Sequence, residues 1–355
     1  MKIYKFYPED KTRFHFGDSK GKLKEIASSD QLYSAIFNCA LLLYGQDKEK
    51  NPVVELLQNL TISSLFPGIH FLNQNNGEIK EMFFFPRPLA PTDSVDKDKD
   101  LLSNKRKKKV KYFTLGALKL FLESWNSEKK LFDFNILNFE LLGEKYACTK
   151  EELESLDIVK IKTRDFKFFV SDSEPKVVVS RVNDESENFY YQDKTEVKYI
   201  QTDNYLISPF FYFICPENVD YRLTAVIRLM ADEGLSGKRS QGMGALGKVA
   251  EEDWPGELFS GDGAYYMSLS SVFPTPHEAE KVIYYELDER SGYIYSQYGR
   301  PLRKKRLRLF KEGSIFSEKI MGQIIDISPD SYTEHKVYMN GRALLLPFGR
   351  YIHEF

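Results

Sequence analysis

Residues 231–247 read ADEGLSGKRSQGMGALG, five glycines and a Lys-Arg pair within seventeen positions. A stretch so poor in side chains and so cationic has three uses. It can cradle a nucleoside triphosphate, hold a dinucleotide, or lie against a nucleic-acid backbone. The first fails on spacing, because a phosphate-binding P-loop needs Gly five residues before its Gly-Lys pair and Ser or Thr after the Lys. Asp232 and Arg239 occupy those positions. The second matches a G-x-G-x-x-G spelling at Gly242, Gly244 and Gly247. That fingerprint works only where a strand leads in and a crossover helix leads out. Here a helical pattern leads in, and LGKVAEEDWPG follows, too short for a crossover helix. The third reading suits the context. Glycines permit close approach of a sugar-phosphate chain, Lys238 and Arg239 add charge, and Ser240 and Gln241 are neutral donors.

Working outward, ENVDYRLTAVIRLMADEG predicts a helix with Leu223, Val226, Ile227 and Met230 facing inward. YLISPFFYFIC before it reads as a buried strand, and so does MKIYKFY at the start. In SSDQLYSAIFNCALLLYG, Ser29 or Asp30 is the expected cap. Leu32, Ile36, Cys39, Ala40 and Leu43 then share a face up to Gly45. ISSLFPGIHFL and EMFFFPRPL read as strands joined by a turn-rich link, and PKVVVSRVNDESENFYYQDKTEV as a hairpin. Residues 91–111 are a charged insertion expected to be solvated and mobile, and ALKLFLESWN a helix. The order of elements fits an α+β βαββαβ unit, ferredoxin-like, over residues 1–250. A break at EEDWPGELFSGDG starts a second unit over 251–355, expected to be ferredoxin-like in tandem, with short strands around a helix at HEAEKVIYYE.

The chain has 355 residues, 42% hydrophobic, with 27 Phe and 22 Tyr, enough for two cores and well suited to strands. Its formal charge of -2 excludes a uniformly basic binder but not segregated charge. Three scattered cysteines, Cys39, Cys148 and Cys215, give neither a disulfide framework nor a metal pair, so a reducing, cytoplasmic setting is expected. The longest apolar run is about half of a membrane span, so no membrane role is expected.

Several islands then resemble one family in order: FHFGDSKGK with the helix after it, FFFPRPL, the hairpin, and the glycine-rich loop. Together they resemble the RAMP superfamily of CRISPR proteins, in particular the fourth subunit of type III-A (Csm) complexes. The resemblance implies a non-catalytic subunit that holds the 5′ handle of the crRNA. It also implies two protein partners, the RAMP backbone subunit and the large polymerase-like subunit. Carried over by position, RNA would meet Gly237, Lys238, Arg239, Ser240, Gln241, Gly242, Met243 and Gly244. His15, Phe16, Gly17, Asp18, Ser29 and Asp30 would lie near the same face, with Arg181 and Asn183 at the hairpin. No cofactor is implied.

Other signals stay open. His15 is the one candidate for general acid–base cleavage of RNA, set against a structural histidine, and it defines the alternative, a RAMP endoribonuclease processing precursor crRNA. His70, His277, His335 and His353 lack metal-ligand spacing. Arg87 ends an aromatic strand and is a candidate RNA contact, while GRPLRKKRLRLF suggests a strand with one charged face, meeting RNA, a partner or solvent.

Overall fold

The structure is a computed structural model. It describes residues 1–17, 23–45, 52–92, 101–156, 166–180, 182, 186–218, 220–254, 261–294 and 302–349. Strand β1 (Lys2–Tyr7) leads through short strands to helix α1 (Ser29–Tyr44). Ser28 is the cap, one residue earlier than expected, and its amide donates to Gln31 Oε1 at 3.2 Å. Gly45 ends the helix with φ 71°. Leu32, Ile36, Cys39 and Ala40 are buried as their spacing predicts, but Leu43 points outward in the last turn.

The hairpin of β2 (Phe66–Asn73) and β3 (Ile79–Pro86) follows. The basic half of the charged insertion forms a helix, α2 (Leu101–Lys109), where a mobile segment was expected; Lys, Arg and Leu are good helix formers. Next come β4 (Tyr112–Thr114) and α3 (Leu115–Glu123), then the long hairpin of β5 (Phe169–Val179) and β6 (Ser186–Val197). The chain returns through β7 (Tyr205–Cys215), α4 (Arg222–Glu233) and β8 (Lys248–Asp253).

Strands β5 and β6 lie in a separate small sheet, and the others share a nine-stranded sheet that contains the run β4-β3-β2-β7-β1-β8. Strand β1 is antiparallel to both β7 and β8, and β7 is antiparallel to β2. Two split β-α-β crossovers therefore interlock, β1-α1-β2 around β7 and β7-α4-β8 around β1. This is the connectivity expected for a βαββαβ unit, with residues 74–204 inserted between its second and third strands.

The sheet is covered on both sides, which explains why β7 reads as a continuous apolar run. Its alternate residues Ile207, Phe211, Phe213 and Cys215 join a core under α1 and α4. Phe210, Tyr212 and Ile214 join a second core with α3, Trp254 and the C-terminal strands. Each fully buried Phe of this kind stabilises the fold by about 1.5–3 kcal/mol relative to exposure.

Beyond β8 the elements are small. A four-stranded sheet combines β9 (Tyr265–Ser268), β10 (Val282–Tyr284), β13 (Ile315–Phe316) and β16 (Leu345–Phe348). Strand β11 (Leu287–Arg290) pairs with β12 (Leu307–Phe310), and β14 (Gly322–Asp326) with β15 (Tyr338–Arg342). The helix expected through HEAEKVIYYE is confined to Pro276–Ala279, and Val282–Tyr284 turns to strand beside Ile315–Phe316. Among the described residues this part has no crossover helices of the kind found in the first unit. Tyr338 of β15 packs on Phe37 of α1 at 6.2 Å, so the C-terminal part also wraps over the helical face.

Candidate nucleic-acid interface

The glycine-rich loop leaves α4 and is laced at once to the N-terminal segment. Ser236 Oγ accepts from the amides of His15 at 3.1 Å and Lys238 at 3.2 Å. The Gly237 amide donates to the His15 carbonyl at 3.1 Å, and the Gly244 amide to the Arg13 carbonyl at 2.7 Å. Arg239–Gln241 form a 3-10 turn that ends at Gly242, φ 76°.

The glycines divide by purpose. A Cβ on Gly247 would sit 2.0 Å from the Tyr7 carbonyl oxygen, and one on Gly244 would sit 2.6 Å from Ser236 Cβ. Both also have positive φ, so they serve the protein's own close packing. Gly242 faces open space. Most loop amides are likewise committed. Besides Gly237, Lys238 and Gly244, those of Gln241 and Met243 donate to the Lys238 carbonyl and that of Gly242 to Arg239. Among the described residues, the amides of Arg239 and Ser240, in the first turn of the short helix, make no hydrogen bond, as helix starts leave them. The loop therefore offers charge more than bare main chain.

The loop is one wall of a cavity of about 450 Å³. His15, Phe16 and Gly17 line it, as do Asp30, Gln31, Ser34 and Asn38 of α1. The opposite wall is C-terminal: Arg290, Lys304, Lys305, Tyr338 and their neighbours. Among the described residues, Lys238, Arg239, Arg290, Lys304 and Lys305 face it against one lining carboxylate, Asp30.

That carboxylate is spent. Arg290 Nε donates to Asp30 Oδ2 at 2.7 Å and Nη2 to Oδ1 at 3.0 Å, while Nη2 also reaches Ser28 Oγ at 2.8 Å. Burial opposes the Arg290 charge, but Asp30, Asp288 and Glu312 outweigh it and raise its pKa further. Ser29 is buried too: its amide donates to Ser64 Oγ at 2.8 Å, and its Oγ accepts from the Ser271 amide at 2.9 Å. Both α1 residues thus fasten the C-terminal part to the first unit. Phe16 is buried against Phe14, ring centroids 5.3 Å apart.

His15 turns its ring beside Gly237, with Nδ1 2.6 Å from the Asp193 carbonyl oxygen. Met243 is buried, its Sδ accepting from Gln192 Nε2 of β6 at 3.7 Å. Arg87 stands apart from the cavity lining; its Nη1 donates to the Lys107 carbonyl at 2.7 Å, tying it to the end of α2, and burial lowers its pKa. Asp18, Arg181 and Asn183 lie outside the described residues. Sequence reasoning missed Ser236 and the C-terminal wall. The signal for the latter was present as the basic run of GRPLRKKRLRLF, but nothing local says which cation of that run is buried.

The β5–β6 hairpin has two unlike faces. Gln192 of one face meets the loop, whereas Pro175, Val177, Phe189 and Tyr191 share the other, with Phe189 and Tyr191 each 65% exposed.

Comparison with known proteins follows this geometry. Residues 261–348 match the family of the CRISPR Csm4 C-terminal domain. A protein of Methanocaldococcus jannaschii described as CRISPR system Cms protein Csm4 is 29% identical over 385 residues, covering 98% of each chain. One of the same description from Mycobacterium tuberculosis is 36% identical over 118 residues, 32% of this chain and 38% of that one. Among solved structures, a chain in the Csm3-Csm4 subcomplex of the type III-A CRISPR-Cas interference complex superposes with TM-score 0.64. It is 23% identical and covers 98% of this chain and 100% of its own. A chain in the Csm1-Csm4 cassette in complex with pppApA gives TM-score 0.51 at 18% identity, covering 99% of each.

Over almost its whole length the chain is thus similar to a Csm4 protein of a CRISPR system, and residues 261–348 match the Csm4 C-terminal domain. It shares its fold with a chain solved in the Csm3-Csm4 subcomplex.

Proposed function

We propose that this chain is a non-catalytic, cytoplasmic, RNA-holding subunit of a type III-A CRISPR effector complex. Its cleft takes the 5′ handle of the crRNA, and its outer surfaces bridge a Csm3-like backbone subunit and a Csm1-like large polymerase-like subunit. Likeness to chains solved in Csm3-Csm4 and Csm1-Csm4 assemblies supports the bridging role. In this reading residues 1–250 are a ferredoxin-like RAMP unit with insertions, and residues 251–355 its companion, which supplies the far wall of the cleft. Among the described residues no helix is long and apolar enough to cross a membrane.

One observation carries the RNA reading. Among the described residues, a chain of net charge -2 gathers five cations around one cavity and neutralises the single carboxylate there. Segregated positive charge beside a glycine loop is the footprint of a phosphate backbone. The test is binding of a repeat-derived single-stranded handle RNA across a salt series. Replacing Lys238 and Arg239 by Ala should lower the slope of log affinity against log salt by about 1.4, roughly 0.7 per lost contact. An unchanged slope removes the loop from the interface.

A second reading draws on His15. A proton on Nδ1 donated to the Asp193 carbonyl leaves Nε2 free to act as a base, as a metal-independent endoribonuclease requires. Cleavage of repeat RNA without metal, abolished by His15→Ala, would replace holding with cutting.

A further inference from the structure

The cations from Arg303 to Arg306 are not equivalent. Arg303 lies over the Tyr293 ring at 5.5 Å, Lys305 pairs with Asp330 at 2.8 Å, and Arg306 pairs with Glu289 at 3.4 Å. Lys304 differs from all three. It is half-buried and lines the cavity, and among the described residues no carboxylate lies within ion-pair distance of its ammonium. The main chain on either side is fixed: the Lys304 amide donates to the Gly292 carbonyl at 2.9 Å, and the Lys305 amide to that of Ile327 at 3.0 Å.

Among the described residues Asp30 is the only carboxylate lining the cavity, and Arg290 holds both of its oxygens. Burial accordingly lowers the Lys304 pKa, and the field of Asp30 offsets this only in part. A desolvated ammonium without a counter-charge costs stability unless an anion supplies one. The cavity opens beside Lys238 and Arg239, so an anion there would meet cations from both walls.

We propose that Lys304 is a phosphate-binding residue, clamping a phosphodiester of single-stranded RNA between the C-terminal wall and the glycine-rich loop. This rests on the RNA-holding reading above and extends it: the RNA is held by both units, not by the loop alone. The ligand chemistry is a phosphate, and its source is the RNA chain. A free mononucleotide is the competing source, which the test separates.

The full-length chain is titrated with 5′-labelled handle RNA by fluorescence anisotropy at several salt concentrations. With Lys304→Ala, affinity should fall roughly tenfold, the loss expected for one charge-assisted bond. The salt slope should fall by about 0.7. Lys304→Arg keeps the charge and should restore most of both, while Arg306→Ala, exposed and outside the cavity, should leave them unchanged. Melting curves for each variant separate lost binding from lost folding. Wild-type affinity and slope in a folded Lys304→Ala would overturn the clamp and leave the RNA-holding reading standing. No RNA binding by the unaltered chain would sink both. ATP binding that depends on Lys304 while RNA binding does not would assign the site to a free nucleotide and also overturn the clamp.

Discussion

The two walls of the cleft solve the same electrostatic problem in opposite ways. The loop wall keeps its charge outside: the Arg239 side chain is 41% exposed and, among the described residues, its one ion pair is with Glu233 at 3.8 Å. Its position comes from glycine packing and from amides bonded to the N-terminal segment. The C-terminal wall keeps its Arg290 charge inside. The Arg290 side chain is 11% exposed and meets Asp30, Asp288 and Ser28 at once. Solvated cations are screened and adaptable, whereas a buried guanidinium in a bidentate pair is rigid and costly to disturb. One wall is therefore built to adjust to a ligand, and the other to set the distance between the units.

The sharpest way to break this comparison is Arg290→Ala. It leaves the buried Asp30 carboxylate without its bidentate partner, and such half-pairs typically cost about 3–5 kcal/mol. Urea denaturation should show that loss, and replacing both partners by apolar residues of similar volume should recover much of it. A loss below about 1 kcal/mol would mean that the wall is no stiffer than an ordinary surface.

A smaller effect separates the glycines. Gly247→Ala forces a Cβ toward the Tyr7 carbonyl oxygen at positive φ. Left-handed strain of about 1–2 kcal/mol adds to an overlap penalty of about 1–3 kcal/mol. Gly242→Ala meets open space and should cost only the strain, about 1–2 kcal/mol. Equal losses, read from the same denaturation curves, would show that the loop is not held by close packing against β1.

How far these walls could be read from the sequence differs in the same manner. The first unit was legible because its signals are local. α4 shows helical spacing at Leu223, Val226, Ile227 and Met230, and β7 is an unbroken apolar run because both of its faces are buried. The loop announced itself through glycine and charge. The C-terminal wall did not, because its elements are two to five residues long and take their form from distant partners. Helical spacing after His277 gave way to pairing of Val282–Tyr284 with Ile315–Phe316. Lys304 and Lys305 are alike in sequence, yet Lys305 pairs with Asp330 while Lys304 is turned toward Asp30 of α1, far away in the chain. Ser29 and Asp30 were legible as a conspicuous pair but not as the fastening they form, since Ser271 and Arg290 lie more than two hundred residues on.

The smallest expected effect concerns the base of the hairpin, where charges are paired near the surface. Lys194 and then Lys176 hold the Glu174 carboxyl at about 2, down from an ordinary 4.5. Lys194 itself is buried and also faces Asp172 and Glu196. Because the folded chain binds this proton less readily than the unfolded one, the pairing stabilises the fold fully above the ordinary value. It is lost as the pH falls toward the depressed one. The difference in melting temperature between the chain and Glu174→Gln should therefore be complete near about pH 6 and narrow below about pH 4.5. The loop's salt slope with RNA rests on Lys238 and Arg239, away from this cluster, and should not follow the same curve. A melting difference that stays constant through acid would uncouple the hairpin cluster from folding. A salt slope that follows it would mean that the loop depends on the hairpin through Met243 and Gln192, and that the adjustable wall is less independent than its exposure implies.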